Sequence, residues 1–338
     1  MEPMSSDPPS QAESAGSVTF PFSREKAVEC PHSMALMGYI GRAYGLPKFY
    51  SRSNDLLYHY TDGAGLLGIV SSNRLWATDT NFLNDPSEGQ FFTRTMLEIM
   101  RQKAGGLTTL EEGIVASIER GLEQHATAFD TFSVSFCCDG DLLSQWRSYG
   151  SFGSGYAIGF EAKEFPEFQI GQLVDVQYGV SNISDIALEM LSIFVESNSK
   201  WEAILERFCS DAAHSIRFWS LSFKNIGYKE ERESRILVRL DDKPDMFEVM
   251  RPLRFRARGA DIVPYVALAP RIVEENRDSP ARLLRKGEHP PVLPIRRIVT
   301  GPGVDYARNK IALERLLASK KYENVEIVSS AIPFRSTL

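Results

Sequence analysis

The chain has 338 residues, 43% of them hydrophobic, with 38 basic against 44 acidic side chains and a formal net charge of -6. That length and apolar content suffice for one large domain or two modest ones, and the negative balance argues against general nucleic-acid affinity. No apolar run approaches the roughly 20 residues that cross a bilayer, and the sparse cysteines (Cys30, Cys137, Cys138, Cys209) point to a reducing, cytoplasmic setting instead of a disulfide framework.

Residues 1–22 are rich in Pro, Ser and acidic side chains and lack the basic-then-apolar order of a secretory leader, so they are expected to be a disordered tail. Residues 23–53 mix helix formers with "YGLPKFYSRSN" and read as a helical arm leading into a single domain over 54–338. "LLYHYT" reads as a strand, and Leu66, Leu67, Ile69 and Val70 share one face of a short helix from Gly63 to about Asn73. After the strand-like "RLWAT", the stretch "NDPSEGQFF" predicts a helix start. Asp85 suits the N-cap, Pro86 the first helical position and Glu88 a capping box. Thr108 and Glu111 repeat that signature before a second amphipathic helix.

"TFSVSFCC" (131–138) reads as a strand, "LLSQWRSYG" as a short helix, and "GSGYAIGFE" and "QLVDVQYG" as strands. Residues 183–220 are expected to be mainly helical. "RESRILVRL" follows as a strand, and residues 248–258 and 261–270 as a hairpin around Gly259. "RDSPARLLRKGEHPPVLP" reads as a surface loop, and residues 295–330 as a closing strand–helix–strand unit. Strands this close together leave no room for regular crossover helices, which favours an α+β fold over a doubly wound sheet. No P-loop is present. Cys30 and His32 lack a second ligand pair, so no metal is expected.

Three stretches carry polar residues inside strand-like sequence: His59, Tyr60 and Thr61; Trp146, Arg147, Tyr149 and Tyr156 among glycines; and Glu231, Glu233 and Arg235. On one strand the last three would share a face. Each also has an ordinary role open to it: a satisfied core histidine, aromatic packing, a solvated strand face. The stripe Arg254, Arg256 and Arg258 suits phosphate contacts or a charged edge strand equally.

In order, "LLYHYT", "FLNDPSE", "LSQWRSYG…GYAIGF", "KNIGYKEERESRI" and "RRIVTGPG…VEIVSSAIPFR" resemble a bacterial family catalogued as domain of unknown function 2971, over roughly residues 54–335. That family is in turn distantly similar to ADP-ribosyltransferase-like folds. The resemblance implies a mixed, mostly antiparallel split sheet with helices packed on it. It also implies an enzyme that takes NAD as substrate, transferring ADP-ribose or hydrolysing the dinucleotide, in the role of a toxin or antiphage effector. His59 then matches the first-strand histidine, and Glu233, or else Glu231, the late glutamate. The E-x-E spacing resembles a pair seen in some transferases. Tyr60, Thr61, Asn84, Asp85, Trp146, Tyr149, Tyr156 and Arg235 are the implied nucleotide contacts, with the cleft aromatic open among Trp146, Tyr149 and Tyr156. The implied acceptor is a protein or a nucleic acid. Two other classes stay open: a non-catalytic module binding a nucleotide, nucleic-acid end or protein, and phosphate transfer from an RNA 2′-position.

Overall fold

Apolar alternation resolves into strands largely where the sequence predicts them, and the pairing of those strands decides where the site lies. The computed structural model describes residues 23–30, 32–46, 48–49, 56–85, 87–103, 105–124, 130–165, 172–179, 182–240, 253–258, 260–268 and 292–333. The expected tail over 1–22, Pro86, the hairpin tip at Gly259 and most of the expected loop before residue 292 lie outside them.

The elements run in order: α1 (Arg24–Glu29), α2 (Ser33–Tyr44), β1 (Lys48–Phe49), β2 (Leu56–Thr61), α3 (Gly63–Ser72), β3 (Leu75–Asp79), α4 (Phe91–Arg101) and α5 (Thr109–Gln124). They continue with β4 (Asp130–Cys137), α6 (Leu143–Ser148), β5 (Tyr156–Glu161), β6 (Gln172–Asp175), β7 (Gln177–Tyr178), α7 (Ile183–Trp201) and α8 (Leu205–Ser220). The last are β8 (Phe223–Lys224), β9 (Glu233–Leu240), β10 (Leu253–Arg258), β11 (Asp261–Leu268), β12 (Ile295–Thr300), α9 (Tyr306–Ser319) and β13 (Glu326–Ser329). Among the described residues, no helix is long and apolar enough to cross a membrane.

The main sheet is mixed and mostly antiparallel, in the order β1-β6-β9-β4-β2-β5-β12-β13, with β3, β11 and β10 branching off β4. The parallel pair is β12 with β13, joined through α9. Helices α3 and α9 cover one face of the sheet, where Leu66, Ile69, Leu313 and Leu317 meet Leu57, Ile158 and Ile298. Trp146 of α6 packs on the other face against Tyr58, Tyr60, Ala157 and Val299. A separate apolar cluster unites α1, α2, α4, α5, α7 and α8. In it Phe194 and Phe208 meet edge to face at 4.8 Å, and truncating either to alanine would cost ~3–5 kcal/mol.

Two local readings change. Residues 24–44, expected as an arm, bury Ala27, Leu36 and Ile40 in that helical cluster. "QLVDVQYG" is not one strand: β6 joins the main sheet beside β9, while β7 leaves it to pair with β8.

Candidate functional site: a cleft in the fork of the sheet

Strand β4 has two partners on one side. Phe132 and Ser133 pair with β3, whereas Cys137 pairs with Tyr58 of β2. Between them Val134, Ser135 and Phe136 face a gap, because β2 and β3 diverge around the helix that joins them. A backbone carbonyl left bare in such a gap would be costly. His59 Nδ1 lies 3.0 Å from Ser135 O and fills the missing ladder position. A carbonyl only accepts, so Nδ1 carries the proton and Nε2 of the neutral ring is left as an acceptor. Burial pushes the imidazole pKa down, outweighing the Ser135 contact, which keeps the ring neutral.

The fork opens into a cleft enclosing about 960 Å³ of space not occupied by protein atoms, part of it continuous with solvent. Its walls include His59, Tyr60, Thr61, Asn84, Tyr149, Glu231 and Glu233 from the sequence reading. The in-register row Tyr58–Cys137–Glu233 sets β2 and β9 two strand spacings apart, roughly 10 Å. Strand alternation sends His59 and Tyr58 to opposite sides of the sheet. Glu233 follows Tyr58, so His59 and Glu233 meet at the cleft only because it sits in the fork.

At one end of the cleft five charges interlock, four of them with side chains no more than 6% exposed and Glu231 at 16%. Lys224 Nζ lies 2.8 Å from Glu88, 2.7 Å from Glu231 and 2.8 Å from Glu233. Arg235 donates to both oxygens of Glu233 and, at 2.9 Å, to Glu88. Glu231 also accepts from the Tyr149 hydroxyl at 3.1 Å. Burial pushes the Glu233 carboxyl up, but Arg235 and Lys224 outweigh it and hold the pKa at about 2. For Tyr149, burial and then Glu231 drive the phenol upward. At the other end Arg256 and Arg258 line the cleft. Arg256 donates to Thr78 Oγ1 at 2.6 Å and lies over the rings of Trp76 and Tyr265. Burial, then the neighbouring Arg258 charge, lowers its pKa. The cleft is therefore acidic at the β9 end and basic at the β10–β11 end.

Several expected contacts lie elsewhere. Trp146 is fully buried, with Nε1 donating to Asp141 at 2.7 Å, and Tyr156 is buried with its hydroxyl on Asn309 at 2.8 Å. Neither lines the cleft, which leaves Tyr149 as its aromatic from that group. Asp85 is buried in its own turn, accepting from the Ser87 N–H and hydroxyl at 2.8 and 2.7 Å. Arg235 sits behind the wall as a brace for Glu233 and Glu88. Glu231 does not share a strand face with Glu233: it ends a 3₁₀ turn, and Arg232 at φ 45° redirects the chain before β9 begins.

Glu88, Lys224, Ser133 and Ser135 were missed by sequence reasoning. The Glu88 signal pointed to a capping box, but α4 starts later, at Phe91, and the carboxylate swings into the cleft. At Thr108–Glu111 the predicted box does form: the Thr108 N–H donates to the Glu111 carboxylate at 2.9 Å and the Glu111 N–H to the Thr108 hydroxyl at 3.3 Å. Ser133 and Ser135 carry a legible sign, being hydroxyls alternating within the apolar "FSVSF".

Fold and site together define an α+β protein with a forked, mostly antiparallel sheet and a bipolar cleft at the fork. The sequence model of a family described as "Protein of unknown function (DUF2971)" matches residues 145–236, which run from Gln145 through Glu231 and Glu233 to Ile236. No curated protein and no solved structure matches the chain.

Proposed function

We propose that the cleft binds NAD and that the protein cleaves its nicotinamide–ribose bond, as an ADP-ribosyltransferase-like or NAD-hydrolysing enzyme. The observation that carries this reading is the bipolar lining: Glu231, Glu233 and Tyr149 at one end, Arg256 and Arg258 at the other, with His59 also on the wall. The adjacency of the histidine strand, β4 and the glutamate strand supports an ADP-ribosyltransferase-like fold.

In this reading the guanidinium groups of Arg256 and Arg258 hold the pyrophosphate. The Tyr149 ring stacks on the nicotinamide. His59 Nε2 accepts from a ribose hydroxyl and Thr61 donates nearby. As the carbon–nitrogen bond breaks, its electron pair goes to the pyridine nitrogen and positive charge builds on the sugar. A carboxylate beside the ribose stabilises that charge. Water or an acceptor hydroxyl then attacks the anomeric carbon and gives its proton to a carboxylate. Glu231 is the more available of the two: its side chain is 16% exposed against 6% for Glu233, and it meets one cation, Lys224, where Glu233 meets both Lys224 and Arg235. That engagement favours a second reading, in which the same cleft binds a nucleotide without chemistry.

The test is release of nicotinamide from NAD by the purified chain, with and without protein or nucleic acid as acceptor. Release that falls at least about 100-fold in Glu231→Gln with unchanged melting, or in Glu233→Gln assayed well below its lowered melting temperature, supports catalysis. Binding of NAD without release supports the second reading, and absence of both removes the dinucleotide from the cleft. Growth arrest on expression, relieved by the same substitutions, would support a toxin or antiphage role.

A further inference from the structure

We infer that Glu88 selects the inner end of the ligand, its Oε2 accepting a hydrogen-bond donor or a positively charged group. Its side chain is 4% exposed and it lines the cleft. Oε1 is taken by Lys224 at 2.8 Å and Arg235 at 2.9 Å. Oε2 is buried and meets no donor among the described residues. A buried carboxylate oxygen without a partner is costly, and native folds keep such atoms where something else completes them.

Two further observations point the same way. Ser133 Oγ, also on the cleft wall, is a second buried polar atom with no partner among the described residues. The five-group network sets Glu88, Glu231 and Glu233 against Lys224 and Arg235, one negative charge in excess. Nothing local in the fold calls for an acid at this position. Asp85 serves the turn, and α4 begins three residues later. A glutamine would meet Lys224 and Arg235 through one oxygen and leave the network neutral. The second acidic oxygen is therefore for a ligand.

This inference rests on the dinucleotide reading, and there it names the group: the cationic nicotinamide ring with its carboxamide N–H. The reduced ring is neutral, so the cleft distinguishes the two oxidation states by charge. Calorimetric titration of the full chain with carbocyclic NAD, whose nicotinamide bond resists cleavage, with its reduced form and with ADP-ribose tests this. The wild-type protein should bind the oxidised form about tenfold more tightly than the reduced one. Glu88→Gln should erase that preference and leave ADP-ribose affinity unchanged. Equal affinities in the wild-type protein, or loss of ADP-ribose binding in Glu88→Gln, overturn the role of Glu88 and leave the dinucleotide reading standing. Binding of none of the three compounds sinks the dinucleotide reading and this inference together.

Discussion

Arg235 holds Glu233 two residues away on the same face of β9, with Nε 2.5 Å from one carboxylate oxygen and Nη2 2.8 Å from the other. A third bond, from Nη1 to Leu221 O at 3.1 Å, anchors the guanidinium to the end of α8. The planar fork thus fixes the glutamate at the cleft wall and ties the sheet to the helical cluster. Removing one partner of such a buried pair strands the other. Arg235→Met is expected to destabilise the protein by ~3–5 kcal/mol. Arg235→Met with Glu233→Gln should lose less than the two single changes added together. Urea unfolding of the four proteins measures the cycle, and strict additivity would mean that the pair is not coupled.

Acid should find the same pair. The folded Glu233 pKa, about 2, lies below its ordinary value of 4.5, so the folded state disfavours the proton. The stability it contributes is complete above pH 4.5 and is lost as pH falls toward 2. Full loss corresponds to roughly 3 kcal/mol. Melting temperature recorded from pH 6 to pH 3 should fall in the wild-type chain and fall less in Glu233→Gln.

His59 titrates with the opposite consequence for charge but the same sign for stability. Its depressed pKa means that the unfolded chain takes the proton first, so stability declines as pH drops below the ordinary value of 6.5. Proton-detected NMR of the imidazole should find a neutral ring protonated on Nδ1 at pH 6.5. A ring protonated on Nε2 alone would remove the acceptor assigned to the ribose.

The two cleft-region tyrosines should separate cleanly. Tyr156→Phe removes one bond to Asn309 and is expected to cost ~1 kcal/mol of stability, with ADP-ribose and NAD affinity unchanged. Tyr149→Ala removes a ring from the wall itself and should weaken NAD roughly tenfold, about one aromatic contact's worth. Equal effects of the two on NAD affinity would dissociate the cleft from its aromatic.

Gly68 bears on the basic end from a distance. A Cβ there would sit 2.4 Å from the Trp76 ring, the ring that lies under Arg256. Gly68→Ala is expected to cost ~1–3 kcal/mol through overpacking and to weaken ADP-ribose binding as Arg256 shifts. Thermal melting and titration together check both effects.

Much of the local structure was legible because it is set by a few neighbouring residues. β2 falls within one residue of its expected start, α3 begins at the expected Gly63, and the Thr108–Glu111 capping box forms as read. The E-x-E pair was read less well, since strand parity cannot foresee that Arg232 adopts a left-handed turn between the two glutamates. Glu88 was hidden behind a capping signature that the chain does not use. Lys224 was hidden in a short strand that meets its three carboxylates only after β7 and β8 pair. The choice of Tyr149 over Trp146 and Tyr156 needed the tertiary arrangement, because all three rings have a similar flank of glycines. The fork itself rests on pairing across more than fifty residues, which no local pattern records.

Asp141 receives the Trp146 indole at 2.7 Å on one oxygen, and its other oxygen takes the backbone N–H of Ala331 at 2.7 Å. Ser330 adds a hydroxyl at 2.5 Å. The far end of the polypeptide is therefore moored to the short helix whose last turn presents Tyr149. Shortening the protein to residue 329, which keeps β13, would cast off that mooring and, in the reading proposed above, blunt recognition without altering a single side chain of the binding hollow.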